Sequence, residues 1–254
     1  RLDRQEHDAP PSRVSSNSVL TIENMVISTP DGRGLFKIDR FSLKQGERVC
    51  VLGLNGTGKS VFIRKLIDVL SSRDEHGQIE EQGFHFSPQI KLGYLDQHLG
   101  TLPAQKSMYD FLTDRYSMNH TQATRELVVV GFPPDRHNTP IGKLSSGEKA
   151  RLALLDLRLS KPNFYILDEP TNHLDIQGQE DLEDELDDRN HTCIFVSHDR
   201  KMVRGAATRY LEIKNGKLVE VESPEPFFNA IQKELDDDNQ FGVNQKKGLE
   251  PVVR

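Results

Sequence analysis

The run FYILDEPTNHLD, residues 164–175, sets two adjacent carboxylates, Asp168 and Glu169, directly after four residues suited to a buried strand. Ionised acids at the end of a core strand are costly unless a cation or a reaction uses them. A second run, GLNGTGKS at 53–60, matches G-x-x-x-x-G-K-[ST]. It lies between a strand pattern, RVCVLG, and a helical pattern, SVFIRKLIDVL, which is the setting a phosphate-binding loop requires. Gly53, Gly56 and Gly58 let the backbone turn tightly, so that successive N–H groups face phosphate oxygens. The nucleotide-binding run expected here is Gly53, Leu54, Asn55, Gly56, Thr57, Gly58, Lys59, Ser60 and Val61. Lys59 is placed to reach the β- and γ-phosphates and Ser60 to ligate Mg²⁺, with the positive end of the following helix behind them.

That loop gives the two acids a task. Asp168 is expected at the end of a strand beside the loop, where it holds Mg²⁺, usually through a water. Glu169 is expected on the γ-phosphate side, as the general base that orients and deprotonates the attacking water. Needing both acids together points to a nucleoside triphosphatase.

The elements that must position these groups follow from pattern. Three strand-like runs, VLTIENMVI, LFKIDRFSL and ERVCVLG, fill residues 19–53, divided by Gly, Asp and Pro turn signals. Apolar positions 62, 63, 66, 67 and 70 form a helical stripe. Short strands are expected over 78–97, ending at KLGYLDQ. A looser, mostly helical stretch over about 104–133 resembles an inserted subdomain. SSGEKARLALLDLRLSKP (145–162) reads as a capped helix stopped near Pro162. Then come the strand at 164–168, an acidic helix, the strand CIFVSHD, and a hairpin whose Asn215-Gly216 pair signals a two-residue turn. Strands alternating with helices indicate an α/β sheet, and the early strands and the hairpin suggest an added antiparallel layer. Residues 1–18, with two prolines and four serines, read as a linker or frayed end, and residues 223–254 as a charged tail.

Composition bounds the rest. The 254 residues carry a net charge of −6, with 35% hydrophobic and 28% charged residues, which argues against a strongly basic nucleic-acid domain. No apolar run approaches the roughly 20 residues that span a bilayer. The start, RLDRQEHDAPPSRVSSNS, shows no signal-peptide pattern and looks like a cut from a longer chain. Cys50 and Cys193 lie inside separate strand-like runs and read as small buried hydrophobes, in keeping with a reducing cytoplasm. EDLEDELDDR (180–189) packs seven carboxylates around Leu182 and Leu186 at i, i+4 and reads as a solvated helix face.

Four further pieces fall in order: YLDQ with Gln97 at a strand end, LSSGEKAR at 144–151 before a helix, HLD with Asp175, and IFVSHD with His198 at a strand end. With the phosphate loop, this order resembles the nucleotide-binding domain of the ABC ATPases over about residues 19–222. The resemblance implies an ABC-type P-loop NTPase core with an antiparallel β subdomain and an inserted helical subdomain at about 98–143. It implies ATP and Mg²⁺ as ligands. Glu169, His198 and Gln97 become the catalytic group, His198 as the switch histidine against the γ-phosphate. Gln97 joins Ser60 and Asp168 at the metal. Asp175 is placed at a domain interface.

Residues 144–148 resemble the family signature LSGGQ but read LSSGE. Ser145, Ser146, Gly147 and Glu148 would contact the nucleotide held by a second ABC domain, so one domain holds only half of each site. Ser146 fits if its backbone avoids a glycine-only conformation, and Glu148 is suited to cap the helix. Where ABC domains often carry a base-stacking aromatic stand Ser28 and Thr29. Phe36 is the nearest aromatic and equally a core residue, so ATP and GTP both remain open.

The stretch EPTNHLD, with Asn172-His173, resembles the ABC-F branch, as does GEKARLALL at 147–155. The branch implies a soluble cytoplasmic protein with two ABC domains, acting at the ribosome in translation or antibiotic resistance, with ribosomal RNA met mostly outside this stretch and no membrane insertion. Residues 98–143 are too short for the arm often inserted in the first domain. The second domain is therefore expected, with RLDRQEH as the end of an interdomain helix. Two other classes share the motifs: an ATP-binding subunit of a membrane transporter, and a module that closes on ATP with little turnover.

Overall fold

The computed structural model describes residues 17–72, 82–96, 99, 101–187 and 191–233. The first strands are β1 (Ser18–Ser28), β2 (Gly34–Lys44) and β3 (Arg48–Leu52), followed by helix α1 (Lys59–Ser71) and short strands β4 (Phe84–Phe86) and β5 (Leu92–Leu95). Helices α2 (Met108–Tyr116) and α3 (His120–Val129) precede α4 (Ser146–Ser160). Then come β6 (Phe164–Asp168), α5 (Ile176–Asp187), β7 (Thr192–Val196), α6 (Arg200–Ala206), β8 (Arg209–Lys214) and β9 (Lys217–Val221). All nine strands share one sheet, ordered β4-β1-β2-β9-β8-β3-β7-β6-β5. Strands β8, β3, β7, β6 and β5 run parallel to one another, β9 pairs antiparallel with β8, and β1, β2 and β4 form an antiparallel flank.

The parallel strands are buried on both faces, which explains their continuous apolar runs. Alternation sorts them between two cores. Val49, Val51, Phe164, Ile166, Ile194 and Val196 join the side that holds α1 and the antiparallel strands. Cys50, Leu52, Tyr165, Leu167, Cys193 and Phe195 join the side that holds α2 to α6. Helix α1 buries Phe62, Ile63, Leu66 and Leu70 of the expected stripe, leaves Ile67 half-buried, and buries Val69 in addition. Phe62 meets Phe36 of β2 edge-on at 6.0 Å, which ties the phosphate-side helix to the antiparallel strands. Both cysteines are buried and free.

Local signals set the boundaries. The β8–β9 hairpin turns through Asn215 (φ 52°) and Gly216 (φ 70°), the two positive angles of a type I′ turn. Helix α4 ends on Lys161 at φ 46°, next to Pro162. Helix α2 is fastened to α4 by the Tyr116 hydroxyl, 2.5 Å from Asp156 Oδ1. Helix α5 buries Leu182 and Leu186 and turns most of its acids outward, so the solvated-face reading of the acidic run holds.

The ends differ from expectation. Strand β1 starts at Ser18, itself buried, inside the stretch read as linker. Residues 225–233, read as tail, are helical, and Phe227 and Phe228 belong to the core. The Arg200 guanidinium lies over the Phe228 ring at 5.3 Å. Residues 1–16, with the RLDRQEH segment, and 234–254 lie outside the described residues.

Candidate nucleotide site

The loop between β3 and α1 is shaped by its glycines. Gly56 has φ +79° and Gly58 φ +105°, both in the left-handed region that favours glycine. A Cβ on Gly58 would also stand 2.8 Å from Leu35 Cδ1. The loop therefore turns into α1 with the first N–H groups of the helix facing outward. Lys59 is buried, and its Nζ donates to the carbonyls of Gly53 (2.6 Å) and Leu54 (3.1 Å). An ammonium has three donors, so one remains for a phosphate oxygen. Burial depresses the Lys59 ammonium, and the charges of Glu169 and Asp168 hold it up.

Asp168 ends β6, but β6 is not the neighbour of β3: β7 lies between them. The carboxylate still reaches the loop, where the Ser60 hydroxyl lies close enough to favour its ionised form. Burial pushes the Asp168 carboxyl up, as do the charges of Glu169 and Asp96, against the pull of Ser60 and Lys59. Its Oδ1 is buried with no hydrogen-bond partner. A buried orphan carboxylate oxygen beside a hydroxyl fits Mg²⁺, which takes one or two carboxylates and completes its shell from phosphates and water. Among the described residues no group of three His, Cys, Asp or Glu is placed to hold a metal ion.

Glu169 sits at φ +48°, a left-handed conformation uncommon for a side chain of its size. Its N–H donates to the Val196 carbonyl of β7 at 2.9 Å, which holds the turn. That turn swings the carboxylate off the strand line toward His198. The His198 N–H donates to Glu169 Oε2 at 3.2 Å, and its Nε2 lies 3.3 Å from Oε1. The expected base and the expected histidine are thus in direct contact. Gln97 lies outside the described residues; β5, which leads to it, pairs Leu95 with Leu167 beside Asp168.

The signature residues start α4. Ser145 is the N-cap, its Oγ accepting from the Glu148 N–H, and Glu148 Oε2 accepts from the Ser145 N–H at 2.9 Å. Glu148 is thus the capping acid the sequence suggested. Ser146 is the first helical residue and has no positive φ, so the lost glycine costs nothing in backbone conformation. No local pattern marks Arg136, which pairs with Glu148 and holds its carboxyl down at about 2. Arg136 lies twelve residues upstream in a separate turn, beyond any local pattern. Asp175 caps α5 through its Oδ1, which accepts the Gly178 N–H at 2.9 Å. The Asn172-His173 segment passes over the signature: the His173 carbonyl is 3.7 Å from where a Gly147 Cβ would stand.

A loop-to-helix phosphate cradle, a carboxylate–hydroxyl metal pair and a glutamate–histidine pair at the ends of parallel strands define a P-loop nucleotide triphosphatase. The family model described as ABC transporter matches residues 36–172, more than half of the chain, and the chain belongs to that family of ATP-binding domains. ATP with Mg²⁺ is the ligand of the family's site, and hydrolysis of ATP is its reaction. The chain is 38% identical over 210 residues to the ATP-binding protein YdiF of Bacillus subtilis, covering 82% of this chain and 32% of the relative. It is 30% identical to the ribosome protection protein VmlR of Bacillus subtilis, over 81% of this chain and 34% of the relative. It is 32% identical to ATP-binding cassette sub-family F member 3 of Mus musculus, over 74% and 26%. The chain thus spans about a third of the length of the curated relatives it matches. Among solved structures, cbiO1 from Clostridium perfringens, part of the ABC transporter complex cbiONQ, superposes with a TM-score of 0.58. That match covers 91% of this chain and 100% of cbiO1 at 22% identity, a likeness of fold. Among the described residues no helix is long and apolar enough to cross a membrane.

Proposed function

We propose that this chain is one ATP-hydrolysing half of an ABC-F protein that works as an ATP-driven clamp at the ribosome, in translation or in protection from antibiotics. The observation that carries the reading is the Glu169–Asp175 turn, in which the Asn172-His173 pair typical of that branch joins the catalytic acid to the signature helix. Relatives named for ribosome protection and for sub-family F support it.

In the mechanism, the loop N–H groups and Lys59 grip the triphosphate, and Ser60 and Asp168 would hold Mg²⁺, which would supply positive charge against that of the phosphates. Glu169 takes a proton from water as the water oxygen bonds to the γ-phosphorus and the bond from that phosphorus to the β–γ bridging oxygen breaks, releasing ADP. His198, held against Glu169, donates to a γ-phosphate oxygen and keeps the base aimed. Ser145 to Glu148 face a nucleotide held by a second ABC domain, so closure couples two sites and hydrolysis reopens them. Gln97 serves at the metal and Asp175 at the domain interface.

The test uses the full-length parent protein carrying Glu169→Gln, which retains nucleotide and should stay closed. Co-sedimentation with ribosomes in ATP is expected. Its absence, together with recovery in a membrane complex, overturns the reading in favour of a transporter subunit.

A further inference from the structure

The phosphate loop has a grip for three phosphates but no evident platform for a base. Phe36, the nearest aromatic, is 2% exposed and edge-on to Phe62, inside the core. Leu35, its neighbour on β2, is half-buried beside the same core, and both side chains close on the Gly58 position. Arg33 lies in the turn just before β2 begins at Gly34. A cleft runs along this side, with Thr29, Arg33 and Leu35 on one wall and the 55–61 stretch on the other. No aromatic residue lines it among the described residues.

Arg33 is exposed, yet its backbone is fixed. Its carbonyl accepts from the Thr29 N–H at 2.9 Å and from Thr29 Oγ1 at 3.1 Å. The Gly32 N–H closes the same turn on the Thr29 carbonyl at 2.9 Å. Among the described residues its guanidinium makes no hydrogen bond or salt bridge, although Asp31 two residues away feels its charge. A planar cation on a rigid turn, at the mouth of a phosphate cradle, is suited to lie over the face of a nucleobase.

We propose that Arg33 is the base platform of this site: its guanidinium stacks on the purine of the bound triphosphate, doing by cation–π contact what an aromatic ring would do. The inference rests on the nucleotide-binding reading of the phosphate loop. A stacked cation reads the face of the base and not its hydrogen-bonding edge, so the site accepts adenine and guanine alike.

The experiment measures dissociation constants of this chain for MgATP, MgGTP and inorganic triphosphate, with Arg33→Ala, Arg33→Lys and Arg33→Phe alongside the unaltered chain. Ala and Lys are expected to weaken both nucleotides by about three- to thirtyfold and to leave inorganic triphosphate unchanged, while Phe restores most of the affinity. Equal loss for inorganic triphosphate would make Arg33 a phosphate contact and overturn the proposal. So would an Arg33→Lys variant that binds normally, a loss confined to one purine, or no loss at all. If the unaltered chain binds none of the three ligands, the phosphate-loop reading itself fails and the platform with it.

Discussion

The two ends of the catalytic apparatus are built in opposite ways. At the phosphate loop the charged groups are buried and incomplete: Lys59 keeps a spare donor, and Asp168 Oδ1 has no partner. At the signature, Ser145 and Ser146 are exposed, while the Ser145–Glu148 capping box and Arg136 complete one another. The first end stores unsatisfied charge that a ligand must answer, so its stability and its ligand are linked. The second is a surface whose polar groups already answer one another. On the proposed reading, one chain carries a receptor for its own nucleotide and a lid for another domain's.

The largest effect is expected from Glu169→Gln, which removes the base but keeps the shape: turnover should fall about 10²- to 10⁴-fold while ATP affinity holds, read by steady-state hydrolysis beside equilibrium binding. Lys59→Ala should weaken ATP binding by about ten- to a hundredfold, from the loss of a charge-assisted contact of about 1.5–3 kcal/mol. Both changes should leave the signature end untouched. The converse is Glu148→Ala, which removes a helix cap worth about 1 kcal/mol and should lower the Tm by about 2–4 °C without altering ATP binding at this chain's own loop. A shift in that affinity would break the separation of the two ends.

The smallest and sharpest contrast is in pH. The Asp168 carboxyl is raised, so the folded chain holds that proton more tightly than the unfolded one. Its contribution to stability therefore falls as pH climbs from the ordinary aspartate value, about 3.9, through the raised one, and is flat above. Glu148 is depressed to about 2, so its contribution is full above the ordinary glutamate value of about 4.3 and is lost as pH falls toward 2. Thermal melts of Asp168→Asn and Glu148→Gln across pH 2–7 should flatten opposite slopes. Slopes of the same sign would contradict the contrast.

What could be read in the sequence was local. The β3–loop–α1 unit, the Ser145 cap and the Asn215-Gly216 turn each depend on residues within a few positions, and each is where the pattern put it. The insertion of β7 between β3 and β6 is a matter of chain crossing, which a linear pattern does not encode. Phe227-Phe228 sits in a charged stretch without periodicity, so its burial comes from the tertiary fold around Arg200 and not from the local pattern. Arg136 answers Glu148 across twelve residues and has no local signature. Arg33 sits in the PDGRG turn signal between the first two strand patterns, so its place in a turn was legible, but its approach to the phosphate loop comes from the tertiary fold.

The central claim is that the acids are here while the completing signature comes from another domain. The most direct measurement is the ATP turnover per molecule of this chain as its concentration is raised, with the oligomeric state followed in parallel. Turnover per molecule should be low when dilute and climb as pairs form, and Ser145→Ala with Glu169→Gln mixed in equal parts should recover activity above either alone. A constant turnover per molecule in a chain that stays strictly monomeric would contradict it.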